Sequence, residues 1–314
     1  MNLLLSELNR FRSRRAVVLL LALAFVLSAL ITAATLWENR PYDERDREAA
    51  RENAQFQIEE CERNPRYYGL RNNPEGCADQ ILADVEQNPE NFASRYPARF
   101  DDLAKDFPVS LMATLAFMAL LAGTTFVGAD LASGAMSTTL LFRPNRWQVW
   151  AAKIAATVLW TALVATVTLA LCLGALAWTA SSDPVTGMSG GDGKALVLRG
   201  ARALLVVVGA AVLGAAVTTA LRSTIATVGV LIGYLLLGET LLRALFSDSA
   251  EPLLASTRMY AFVRPRVVLY SDYGMGGPES RTVLEMWPSG IYLGVIALLI
   301  SAACAVVFSR RDVP

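Results

Sequence analysis

Side chains able to do chemistry are few in this sequence, and their spacing narrows them further. Histidine is absent from all 314 residues, which removes the commonest general base and the commonest transition-metal ligand. The four cysteines, Cys61, Cys77, Cys172 and Cys304, are too scattered to form a zinc-type cluster. No Gly-x-x-x-x-Gly-Lys-Ser/Thr loop is present, so any nucleotide chemistry must be supplied by another chain, and the chain itself is expected to bind no cofactor and no metal. Three features remain. Cys61 and Cys77 are the only cysteines of a hydrophilic stretch and are expected to form a disulfide, the alternative being two free thiols. Glu239 lies some 15 residues into an apolar run and needs a partner, Arg243 at i+4 or Arg202 on the preceding run. That ion pair would fix a helical hairpin, or Glu239 would serve as a gate or substrate contact. The third feature is the loop 129–149, whose residues are taken up below.

The elements that must position these residues are set by hydropathy. With 54% hydrophobic residues and a mean hydropathy of +0.41, the chain is more apolar than a water-soluble core requires. A spanning helix needs about 20 mostly apolar residues. Six runs qualify: 16–37, 108–128, about 154–178, about 203–221, 224–245 and 289–308. Pro108 suits the start of the second. Trp37, Trp150, Trp178 and Trp287 sit near span ends, as in an interfacial belt. The first run could instead be a cleaved signal core, but it is longer than such cores and its removal would leave five spans. The expected fold is an all-α integral membrane protein with a small, mainly helical extracellular domain between spans one and two.

Charge placement orients the spans. With the amino terminus inside, the inner segments, including the tail 309–314, carry ten basic residues against three acidic ones, a net of +7. That satisfies the positive-inside rule and places both termini in the cytoplasm. Residues 38–107 carry 17 acidic and 10 basic residues and fall outside. They can bury only a small core, of which Phe56, Ile58, Ile81, Leu82 and Val85 are candidates, and the stretch 43–62 has a helical pattern. Outer loops are expected at 181–199 and 247–287. The second interleaves Tyr260, Phe262, Tyr270 and Tyr273 with Arg258, Arg264 and Arg266, a mixture suited to anchoring at the lipid interface or to lining an exit mouth. Residues 1–15 place Leu4, Leu8 and Phe11 at helical spacing, with Glu7, Arg10 and Arg14 available to the other side. They are expected to form an amphipathic helix on the inner leaflet, a plain basic flank being the alternative.

In the loop 129–149, Leu131, Met136, Leu140, Leu141 and Phe142 form an apolar set too short to span, and Pro144 with Asn145 breaks the helix before Arg146. A short helix of this kind suits a groove on another protein. Here the chain resembles the permease subunits of bacterial type-2 ABC transporters. The resemblance is carried by Asp130 after the second span, Gly134, Ser137, the pair Leu140 and Leu141, Pro144, Arg146 and Lys153 at the third span. Members usually have glutamate and Gly-Thr where this chain has Asp130 and Gly134-Ala135. The tight Leu221-Arg222-Ser223 hairpin is also similar to the family.

The resemblance implies a six-span exporter permease in a bacterial plasma membrane. It would have a coupling helix at about 130–142 and ATPase contacts from Asp130, Leu131, Gly134, Met136, Leu140, Leu141, Phe142 and Arg146. Partners would be a cytoplasmic ABC ATPase, which would hold ATP and magnesium, a second permease subunit and the lipid bilayer, with no nucleic acid. Competing readings are a secondary transporter, which would show more buried ionisable groups, and a membrane-anchored sensor acting through its outer domain.

Overall fold

The computed structural model describes residues 3–40, 43–64, 67, 75–87, 91–93, 100–182, 192–246, 250–271 and 280–310. Its helices are α1 (Leu3–Ser13), α2 (Arg15–Glu38), α3 (Glu44–Arg63), α4 (Glu75–Gln87), α5 (Phe100–Ala132), α6 (Ala135–Phe142), α7 (Arg146–Ser182), α8 (Asp192–Leu221), α9 (Thr224–Gly233), α10 (Glu239–Phe246), α11 (Ala255–Val263) and α12 (Met286–Arg310). Among the described residues six helices are long and apolar enough to cross a bilayer: α2, α5, α7, α8, the stretch 224–246 and α12. The fold is all-α in class, with one small antiparallel hairpin, β1 (Arg266–Ser271) paired to β2 (Ser280–Glu285).

Helices α5 and α8 form the centre because small residues let their backbones meet. A Cβ built on Gly123 would lie 2.2 Å from the Ala211 carbonyl oxygen, and one on Gly214 would lie 2.3 Å from that of Leu120. Contacts this close replace the hydrophobic drive that lipid cannot supply between spans. The other spans pack around this pair, with 224–246 and α12 the least enclosed. Phe308 near the end of α12 is buried with Met136 and Val149, and Leu3 packs on the same cluster, so the described chain ends share one face.

Two helices extend beyond the expected spans for one reason. Pro108 does not open α5 but lies inside it, buried, eight residues after the helix begins. Lacking an N–H, it leaves the Ala104 carbonyl without its ladder partner, and Arg199 Nη1 donates to that oxygen at 2.8 Å. Arg202 Nη1 donates to Val263 O at 3.5 Å. Because backbone carbonyls receive both guanidinium groups, α8 runs back to Asp192 rather than starting near residue 203.

At the other end of α8 the reversal is tight. Arg222 adopts a left-handed φ of 55°, and the Ser223 side chain caps α9 by accepting from Ala226 N at 3.2 Å. The fifth span is not one regular helix: a π-turn, Tyr234–Gly238, separates α9 from α10.

The segment after α10 is a folded layer and not a loop. Thr257, Ala261 and Val263 of α11 are buried, and the Phe262 ring occupies the space a Cβ on Gly290 of α12 would need. Arg264 Nη2 donates to Asp106 Oδ2 at 2.8 Å and the Tyr260 hydroxyl to Asp106 Oδ1 at 3.2 Å, tying α11 to α5. Burial pushes the Tyr260 phenol up in pKa against the pull of Arg264, which keeps it a donor. Tyr273 and residues 183–191 of the outer loop expected at 181–199 lie outside the described residues.

Helices α3 and α4 pair through a core of Ala50, Ala54, Cys61, Cys77, Ile81, Val85, Phe92 and Ala93, with Ile58 against it. Asp43 opens α3 with a capping box. Cys61 and Cys77 are disulfide-bonded, with Cα atoms 5.9 Å apart. Closing so short a loop contributes about 3 kcal/mol in the chain-entropy model. Two expected core residues are not in the core: Phe56 is 72% exposed and Leu82 40%. Alanines at the α3–α4 contact bring the helices together without the larger side chains.

The α5–α8 contact can be checked with conservative substitutions. Alanine normally stabilises a helix interior by about 1 kcal/mol over glycine. Gly123→Ala and Gly214→Ala should instead lower the melting temperature in detergent, since each places a methyl against a backbone carbonyl, an overpacking cost of about 1–3 kcal/mol. Gly229→Ala, where a Cβ meets open space, should be neutral or stabilising in the same assay.

Candidate functional site

At the face carrying both chain ends, a buried ion cluster is assembled from three helices and a link. The break at Arg14 lets α1 fold back on α7, where Trp160 Nε1 donates to Leu8 O at 3.0 Å. The Phe11 ring sits 6.4 Å from the Trp160 ring, nearly parallel to it, and 4.8 Å from the Phe126 ring. Glu7, one turn before Phe11 on the same side, is thereby fully buried. Its Oε2 accepts from Lys153 Nζ at 2.8 Å. Lys153 also donates to Asp130, in the last turn of α5, and Arg14 donates to the other oxygen of Asp130. Arg10 bridges Glu7 Oε1 at 3.2 Å and Thr139 Oγ1 on α6 at 3.1 Å. The Lys153 ammonium lies 5.1 Å from the Phe126 ring centroid, a favourable cation–π placement.

Two buried carboxylates thus meet one buried ammonium, with the partly exposed Arg10 and Arg14 at the rim. Charges so placed persist only when paired. The expected helix is present as α1, with Leu4 and Leu5 exposed and Glu7, expected on its polar side, facing protein.

Beside the cluster, Gly134 turns the chain in the left-handed region with φ 69°, a conformation that favours glycine. The helix that follows, α6, starts at Ala135, so Asp130 and Leu131 belong to α5. Met136 is buried against Val149 and Phe308, with Leu131 and Leu140 packed on that cluster. Leu141 and Phe142 are each 83% exposed. After Pro144, the Asn145 side chain accepts from Gln148 N at 3.3 Å to start α7, and Arg146 Nη1 donates to Ser309 O at 3.5 Å. The eight expected contact residues therefore divide. Met136, Leu131 and Leu140 anchor α6, Gly134 turns into it, Arg146 holds the end of α12, and Asp130 is sequestered in the ion cluster. Leu141 and Phe142 are presented.

Residues 1–313 match the family of ABC-2 family transporter proteins. The chain belongs to that family. It is a membrane permease subunit of an ABC transporter, the transport subunit and not the ATPase, in a family that associates with an ABC ATPase. No curated protein and no solved structure matches it.

On the opposite face of the permease, Glu239 does not make the expected ion pair. It is buried, yet neither Arg243 nor Arg202 forms a salt bridge with it among the described residues. Glu239 Oε1 accepts from Ser256 N at 3.0 Å and Oε2 from the Ser256 hydroxyl. Ser256 is in the first turn of α11, where backbone N–H groups lack ladder partners and favour an anion. Arg243 Nη2 reaches the Ser256 hydroxyl at 3.4 Å, and Arg202 is committed to Val263 O. A helix hidden within an expected loop supplied the better partner.

The motif residues Asp130 and Lys153 touch, which their spacing did not show; nor did it show Glu7 and Arg14 as their partners, Arg10 and Thr139 beside Glu7, or Ser256 as the partner of Glu239. The available signal was Lys153, one of three lysines in the chain, set between Ala152 and Ile154 at the start of an apolar run. A lysine there demands a buried carboxylate.

Removing one partner tests the cluster. Lys153→Met should destabilise the detergent-solubilised permease by about 3–5 kcal/mol, because Glu7 stays buried with only Arg10 beside it. Adding Glu7→Gln should recover part of that loss. Lys105→Met, which breaks exposed pairs with Asp101 and Asp102, should cost less than about 1 kcal/mol in the same melts.

Proposed function

We propose that this permease forms the substrate pathway of an ATP-driven exporter and is driven through α6. A cytoplasmic ATPase, holding ATP and magnesium, would seat Leu141 and Phe142 in a cleft, and a second permease subunit, identical or related, would complete the pathway. The supporting observation is that the two exposed apolar side chains sit on a helix wired into the spans. Arg10 links α6 at Thr139 to Glu7, and Lys153 links Glu7 to Asp130 at the end of the central span α5. A push on α6 would thus reach α5 and α7 through charge-assisted contacts rather than through a flexible loop.

The arginine bias of this face supports a cytoplasmic position for it and for both termini, and the resemblance to bacterial permeases supports a bacterial plasma membrane. The outward direction rests on the resemblance to exporter permeases, and Glu239, which holds α10 to α11, would act within the outer half of the pathway.

Replacing the presented residues while leaving the anchors intact tests the reading. Leu141→Asp with Phe142→Asp should reduce the ATPase recovered with the permease from native membranes by roughly tenfold or more, the scale of a hot-spot loss of about 2 kcal/mol. Melting temperature should be unchanged, since both side chains are exposed. Undiminished recovery of ATPase would overturn the docking assignment.

A further inference from the structure

A groove of about 610 Å³ opens between α2 and α7 beside the ion cluster. Its walls run from Val18 to Val26 on one helix and from Trp160 to Thr168 on the other, and Arg12 lies at its end. The polar atoms of the walls are already engaged. Trp160 Nε1 donates to Leu8 O, and the Thr168 hydroxyl donates to Val164 O at 2.9 Å. What the walls offer an occupant is therefore hydrocarbon.

Length and charge narrow the occupant. The eight helical steps from end to end of each wall extend about 12 Å, close to the roughly 15 Å that one leaflet contributes to a hydrocarbon core of about 30 Å. At the end nearest the chain termini, Glu7 and Asp130 are consumed by Lys153, Arg10 and Arg14. Arg12 and Arg15 are exposed and form no salt bridge among the described residues. A cation at headgroup level above an apolar slot of leaflet depth is complementary to an anionic amphiphile.

We propose that the α2–α7 groove binds one acyl chain of an anionic phospholipid from the leaflet on the side of the chain ends, with its headgroup held by Arg12. Arg15 adds to the field at the mouth. The site is part of the resting permease and does not depend on how the ATPase docks. The Phe11–Trp160 stack closes the groove next to α1, so a bound chain would also brace the helix that supplies Glu7 to the ion cluster.

Trp160 in the wall makes occupancy readable. The full chain is reconstituted in phosphatidylcholine vesicles containing either brominated phosphatidylglycerol or brominated phosphatidylcholine, and the Trp160 signal is taken as the difference between the parent protein and Trp160→Phe. Quenching should appear at a several-fold lower mole fraction of the brominated anionic lipid. Arg12→Ala should abolish that preference and Arg12→Lys should keep it, whereas Ala22→Phe, which narrows the groove, should reduce quenching by both lipids. Equal quenching by the two headgroups would leave ordinary surrounding lipid and overturn the proposal. Absence of quenching by either would mean that a protein surface, such as a second copy, covers the groove, and would overturn it as well. Should Trp160→Phe not fold, native mass spectrometry decides: the parent should retain one more phosphatidylglycerol per protomer than Arg12→Ala or Ala22→Phe, and equal retention would refute the site.

Discussion

A buried ammonium between two buried carboxylates is the interaction on which the rest of the permease's terminal face depends. Lys153, Glu7 and Asp130 are each almost wholly removed from solvent, and no one of them could stay charged there alone. Their mutual need fixes where α1 turns, where α5 ends and how α7 begins. The hydrophobic contacts around them, Phe11 with Phe126 and Trp160, would be satisfied by many small rotations of α1. The Lys153–Glu7 bond at 2.8 Å permits very few. Apolar packing supplies the bulk of the stability, and the ion cluster selects the arrangement.

The same accounting of polar groups governs the opposite face. Pro108 withholds an N–H inside α5, and Arg199 supplies a donor to the orphaned Ala104 carbonyl. The first turn of α11 exposes unladdered N–H groups, and Glu239 accepts from Ser256 there. In each case a residue that looks like a liability within a span is the complement of a backbone group on another element. Between these polar layers α5 and α8 meet through Gly123 and Gly214, where backbone contact leaves no room for adjustment. The permease thus has two polar ends joined by a closely packed central pair.

Much of the fold was legible in the chain. Length and hydropathy of each apolar run suffice to place six spans, because the bilayer demands a fixed number of apolar residues whatever the neighbours are. The Cys61–Cys77 pairing was legible from the scarcity of cysteine in a small hydrophilic insert. Helix ends were less so: Pro108 and Arg199 each signal a boundary when read alone, and their signals cancel only because Arg199 donates to the Ala104 carbonyl that Pro108 leaves without a ladder partner. The hairpin β1–β2 and helix α11 were hidden for a related reason, since short elements in a polar segment are stabilised by what they pack on.

The sequence by itself determined the class of protein, the number of crossings, the absence of a histidine-based site and the loop that carries the exposed Leu141 and Phe142. Those properties follow from local composition and from the solvent each segment must face. The tertiary structure decided the partners. On paper Glu7 belongs to the polar side of a helix on the leaflet and Arg243 to an apolar run, yet Glu7 is buried against Lys153 and Arg243 remains exposed beside Ser256. Which charge is sequestered depends on the angle at which one helix lies on another, and that angle is fixed by contacts between residues far apart in the chain.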